Sequence, residues 1–66
     1  MELKRYRKIK GWTQAVLASK IGVTQSEVCH YEKGRTPRRE VLTRIVNLTR
    51  GIVSANDFLY WAHNKK

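Results

Sequence analysis

Sixty-six residues, 41% of them hydrophobic and including two Trp, three Tyr and one Phe, are enough for one small core and too apolar for a disordered charged tail. Fourteen Lys and Arg against five Asp and Glu give a formal net charge of +9, which makes a polyanion the natural partner, nucleic acid ahead of an anionic membrane surface. At this size a deep catalytic cavity is not expected, the single Cys29 closes no intramolecular disulfide, and no Cys/His grouping has zinc-site spacing, so neither metal nor cofactor is expected. The opening Met1-Glu2-Leu3-Lys4-Arg5 leads into no long apolar run. The expectation is therefore a chain of the reducing cytoplasm, without signal peptide or membrane span.

Glycines at 11, 22, 34 and 51 punctuate the chain, and the stretches between them have helical rather than alternating periodicity, so an all-α fold of five short helices is expected. The first, roughly 2–10, carries Leu3, Tyr6 and Ile9 on one side and Lys4, Arg5, Lys8 and Lys10 around the rest, and Gly11 ends it. Thr13 can cap a second helix over about 14–21 by accepting an orphan backbone N–H, and Gly22 can supply its left-handed stop. Thr24 repeats the capping role for a third helix that runs to about Lys33, leaving a turn of only three or four residues between the two. Thr36-Pro37 reads as a cap followed by proline at the first helical position, so the fourth helix is predicted over about 37–50 with Leu42, Ile45, Val46 and Leu48 as its apolar stripe. Ser54 with Asp57 resembles a capping box opening a last helix, about 55–63, before a Lys-Lys tail. Residues 1–66 read as one domain.

The segment 14–33, QAVLASKIGVTQSEVCHYEK, carries the specific signal: helix, short turn with Gly22, helix. Leu17 and Ile21 lie one turn apart on the second helix, Val28 and Tyr31 are three apart on the third, and Val23 can plug the corner. Ala18 is the small residue that close approach of two steeply crossing helices requires. Through Thr13-Gln14, Leu17-Ala18, Ile21-Gly22-Val23-Thr24-Gln25, Val28, Tyr31-Glu32 and Gly34, the chain resembles the Cro/C1-type (XRE-like) helix-turn-helix family over about residues 3–51.

That resemblance implies a compact five-helix, lambda-repressor-like domain with its third helix in the DNA major groove, binding an operator as a symmetric dimer. It implies base contacts from Gln25, Ser26, Cys29 and His30, although a glutamine at this place also bonds phosphate or a neighbouring side chain, and Cys29 also reads as a small packing residue. Backbone contacts are implied for Thr13, Gln14, Thr24, Lys33, Arg35, Arg38 and Arg39, with a merely solvated basic surface as the plain alternative. Arg7 and Glu32 fall where relatives place a structural ion pair. Glu27 is expected near the groove, where a carboxylate repels phosphate and can select by exclusion unless it accepts from cytosine N4 or pairs with a neighbouring cation, and Trp12 is expected in the core. The run Phe58, Leu59, Tyr60, Trp61 cannot all face one small core, so Phe58 and Trp61 are assigned to a homodimer contact, with intramolecular packing as the alternative.

The function this implies is a phage or prophage Cro-like repressor of the bacterial cytoplasm and nucleoid, with double-stranded operator DNA and a second copy of the chain as partners and no small-molecule substrate. No paired carboxylates, nucleophile triad or phosphate-cradling glycine loop suggests an enzyme. The alternative is an antitoxin-like protein-interaction module that uses the same scaffold to mask a partner.

Overall fold

A computed structural model of the chain describes residues 1–58, and all of its regular structure there is helical: α1 (Leu3–Lys10), α2 (Gln14–Ile21), α3 (Gln25–Glu32), α4 (Arg39–Thr49) and a further helical turn over 55–58. The signals that end and start the first three helices act locally. Gly11 and Gly22 stand at φ 75° and 72°, in the left-handed region, and there their N–H groups return to carbonyls of the preceding turn. The Thr13 hydroxyl accepts the Val16 N–H at 3.1 Å. At the next corner Thr24 and Glu27 form a reciprocal capping box, the Glu27 N–H donating to Thr24 Oγ1 and the Thr24 N–H donating to Glu27 Oε1, both at 3.2 Å.

The core gathers one stripe from each helix. Leu17 and Ile21 of α2, Val28 of α3, Ile45 of α4 and Val53 are fully buried, with Leu3, Tyr6, Ala18, Tyr31, Val41 and Phe58 around them. Helix α2 packs on both α3 and α4, and α1 lies on α3. Ala18 is buried on α2 beside Leu17 in sequence, as a small residue at a close helix approach would be. Trp12 is half-buried against the core, its ring edge-on to Tyr6 with centroids 6.0 Å apart.

The structure departs from the expected pattern at Ile9, at the start and inward stripe of the fourth helix, and at Phe58. Ile9 is 64% exposed: the inward line of α1 runs through Leu3, Tyr6 and the partly buried Arg7, which carries Ile9 round toward solvent. The fourth helix starts two residues late, because Pro37 is buried in the connecting loop and Arg38, extended at φ −68° and ψ 163°, takes the cap position without a side-chain bond. Its inward stripe is Val41, Ile45 and Thr49, at successive i, i+4 steps, with Leu42 and Leu48 only flanking it. Buried Thr49 is satisfied by donating to the Ile45 carbonyl at 2.9 Å and accepting the Val53 N–H at 3.1 Å.

Phe58, assigned to a dimer contact, is 3% exposed and belongs to the core, lining one cleft with Leu3 and Tyr31. Its ring has no surface left for a second copy. The turn carrying it is fixed by Asp57, whose Oδ2 accepts the Ser54 N–H at 2.8 Å while Oδ1 takes the Met1 amino group at 2.7 Å. Burial works to raise the Asp57 carboxyl, but the Met1 ammonium and the Ser54 N–H and hydroxyl outweigh it, so its pKa is lowered. Trp61 and the remainder of the helix expected over 55–63 lie outside the described residues.

Candidate nucleic-acid interface

Because Val28 and Tyr31 bury one side of α3, the opposite side is turned outward, and on it Gln25, Ser26 and His30 are exposed while Cys29 is half-buried. The two carboxylates of this helix are occupied within the fold. Glu27 closes the capping box and also accepts the Tyr31 hydroxyl at 3.4 Å. The Thr24 backbone N–H, helped by the Thr24 and Tyr31 hydroxyls and the nearby charge of Arg38, holds its carboxyl below the ordinary range despite partial burial. These bonds engage its oxygens and keep the carboxylate ionised, so the negative charge expected near the groove stays in place at the start of α3. The Thr24-x-x-Glu27 spacing was readable in the sequence as a capping box.

Glu32, at the other end of α3, is the hub of a network. Arg7 donates from Nε to Glu32 Oε2 at 2.6 Å and from Nη2 to Oε1 at 3.1 Å, a bidentate pair with side chains only 11% and 4% exposed. Arg7 Nη1 also donates to the Trp12 carbonyl at 2.9 Å, and Gln14 Nε2 donates to Glu32 Oε1 at 3.1 Å. One carboxylate thus ties α1, the turn before α2 and the first residue of α2 to the end of α3. The position of Gln14 relative to α3 follows from this network.

The cations placed in the sequence around α3 flank it in space. Lys33, Arg35, Arg38 and Arg39 are exposed along the loop after α3 and the start of α4, and Arg35, Thr36 and Arg38 share a cleft with Glu27 and Tyr31. Burial, followed by the charge and hydrogen bond of Glu27, pushes the Tyr31 phenol up, so it stays protonated as the donor in this cleft. Thr13 and Thr24 are exposed at the starts of α2 and α3 with their hydroxyl oxygens accepting capping bonds, and the Thr24 hydroxyl hydrogen is directed at Glu27 Oε1.

A basic residue with no counterpart in the sequence reading is Arg44 of α4. Its Nη1 donates to the Ile21 carbonyl at 3.3 Å, placing a cation at the C-terminal end of α2, where the helix dipole favours it. It lies so close to Gly22 that a Cβ there would meet Nη1 at 2.8 Å. Nothing in the spacing of 21 and 44 announces a contact between two helices.

Chemically the arrangement is a helix with a small polar outer face, its two carboxylates hydrogen-bonded within the fold, and a basic margin in which Glu40 at the start of α4 is the exposed acid. Among the described residues there is no cluster of His, Cys, Asp or Glu able to hold a metal ion, and no helix long and apolar enough to cross a membrane. Among known proteins, a family model described as helix-turn-helix matches residues 3–51, from the first residue of α1 to the glycine after α4. No curated protein and no solved structure matches the chain.

Proposed function

The chain belongs to the Cro/C1-type helix-turn-helix family of DNA-binding regulators, and from that premise we propose that it is a Cro-like repressor of phage or prophage origin, acting in the bacterial cytoplasm on palindromic operators. The observation that carries this reading is the division of labour on α3: its two acids are bonded within the fold, and Gln25, Ser26 and His30 are exposed, with a basic loop following the helix. Gln25 is the residue for adenine, since its amide matches N6 and N7 in the major groove. Ser26 and His30 read neighbouring base edges, and Cys29, half-buried, reaches at most a thymine methyl.

Thr13, Gln14, Thr24, Lys33, Arg35, Arg38 and Arg39 contact sugar-phosphate and set the register. Gln14 has amide capacity beyond its bond to Glu32, and the N-terminal N–H groups of α2 can join it on one phosphate. Two copies read the two halves of a palindrome. With Phe58 withdrawn into the core, their contact is built on the turn over 51–54, where Ile52 is 51% exposed. The test is selection of bound duplexes from a random library at about 150 mM salt with nonspecific competitor. The expected outcome is an enriched palindrome with half-sites about 34 Å, one helical turn, apart. Folded protein that enriches no motif would defeat the proposal.

A further inference from the structure

We infer that the cleft between the C-terminal ends of α1 and α4 docks an acidic segment of another protein that carries a large apolar side chain. The cleft, of about 480 Å³, is lined by Tyr6, Lys10 and Trp12 from α1 and the turn after it, and by Leu48, Arg50 and Ile52 from α4 and the turn that follows. No residue of α3 or of the loop after it lines the cleft. Its occupant therefore leaves the outward side of α3 free, and the inference does not depend on what that side reads.

The charge of the cleft has one sign. Lys10 Nζ lies 5.6 Å from the centre of the Tyr6 ring and Lys20 Nζ 4.7 Å from that of Trp12, so both ammonium groups stand over aromatic rings of the lining. No carboxylate lines the cleft, and Asp57, which the Met1 ammonium links to the Ile52 carbonyl, is already paired with that ammonium. Half-buried Trp12 and Leu48 and exposed Ile52 add apolar surface, which a protein segment buries and a phosphate chain does not. A second copy carries the same net charge of +9 and brings no complementary sign. Arg50 points the same way independently. It is the only non-glycine among the described residues in the left-handed region, at φ 54°, where glycine or asparagine costs less. The helix stop needs only the backbone there, and the exposed guanidinium is accounted for by an anion at the cleft.

The experiment selects binders of the full chain from a random library of peptides of about twelve residues at about 150 mM salt. An enriched peptide is then titrated into Trp61→Phe, where Trp12 is the sole tryptophan. The enriched peptides are expected to place several acids beside an aromatic or leucine side chain, and the titration to shift Trp12 emission. Arg50→Gly, which suits the left-handed backbone and so keeps the melting temperature, and Lys10→Gln should each weaken peptide binding about two- to fivefold, the yield of one partly exposed ion pair, and together about tenfold. Lys8→Gln removes the same charge from α1 outside the cleft and should retain binding. Ile52 is shared with the contact proposed between copies and is left unaltered. Enriched peptides without acids, no enrichment, binding without a Trp12 signal, or equal weakening in Lys8→Gln overturns the inference. So does unchanged peptide binding in Arg50→Gly: a loss of affinity for unrelated DNA in that variant would then assign the cation to phosphate, and a loss of dimer formation would assign the cleft to a second copy.

Discussion

Removing Arg7 alone should damage the fold more than removing Arg7 and Glu32 together. The Glu32 side chain is only 4% exposed and accepts two bonds from Arg7 and one from Gln14. In Arg7→Met the carboxylate stays buried with a single amide donor, and breaking a buried pair in this way costs about 3–5 kcal/mol. A domain of this length has a total stability of roughly 3–10 kcal/mol, so the variant should melt at least about 12 °C lower or be largely unfolded. Glu32→Leu leaves Arg7 its bond to the Trp12 carbonyl and a longer reach to solvent, and should cost about 1.5–3 kcal/mol. The double variant Arg7→Met/Glu32→Leu leaves no buried charge and should lie within about 1 kcal/mol of the parent. Urea unfolding followed by circular dichroism closes this cycle. A loss below about 1 kcal/mol in Arg7→Met, or single losses that simply add in the double variant, would refute the reasoning.

Both Gly22 and Gly11 are left-handed, and alanine at either should cost about 1–2 kcal/mol, but Gly22→Ala also displaces Arg44 from the Ile21 carbonyl. It should therefore lose roughly 1 kcal/mol more than Gly11→Ala in thermal melts, and equal losses would show the Arg44 contact to be idle. The lowered pKa of Glu27 means that its charged form favours the folded state, so its contribution is complete above the ordinary carboxylate range and fades as pH falls through the folded value. The stability gap between the parent and Glu27→Gln should accordingly shrink from about pH 6 to about pH 3, and a constant gap would contradict the capping-box account. Gln25→Ala should weaken operator binding by about 1–3 kcal/mol and barely affect unrelated DNA. Arg38→Ala should weaken both alike and lower the salt slope by about one; the reverse pattern for either would exchange their roles.

The first three helices were legible because their boundaries are set within a few residues, by Thr13, Gly22 and Thr24. The helix-turn-helix core was legible for the same reason: Leu17, Ile21, Val28 and Tyr31 sit at local helical spacings and are buried. The start of α4 was not, because Pro37 serves two purposes and its ring is claimed by burial in the loop before it can serve as a helix start. Which side of α4 turns inward depends on α2, and this contact brings in Val41 where periodicity alone favoured Leu42. At the candidate site the exposed residues of α3 follow from the buried ones by geometry. The bonding of Glu27 in a cap and the bond of Arg44 to Ile21 depend on side-chain choices between competing partners, and the burial of Phe58 depends on α1 and α3, whose Leu3 and Tyr31 share a cleft with it.

The central claim, that α3 reads bases from a scaffold held on phosphate, is tested most directly by titrating the full chain against its selected duplex and an unrelated one over a range of salt. Two steeply falling lines of log affinity against log salt, offset by about a thousandfold or more in favour of the selected duplex, are the predicted result. Coincident lines would show that charge alone binds DNA and that the outward face of α3 reads nothing.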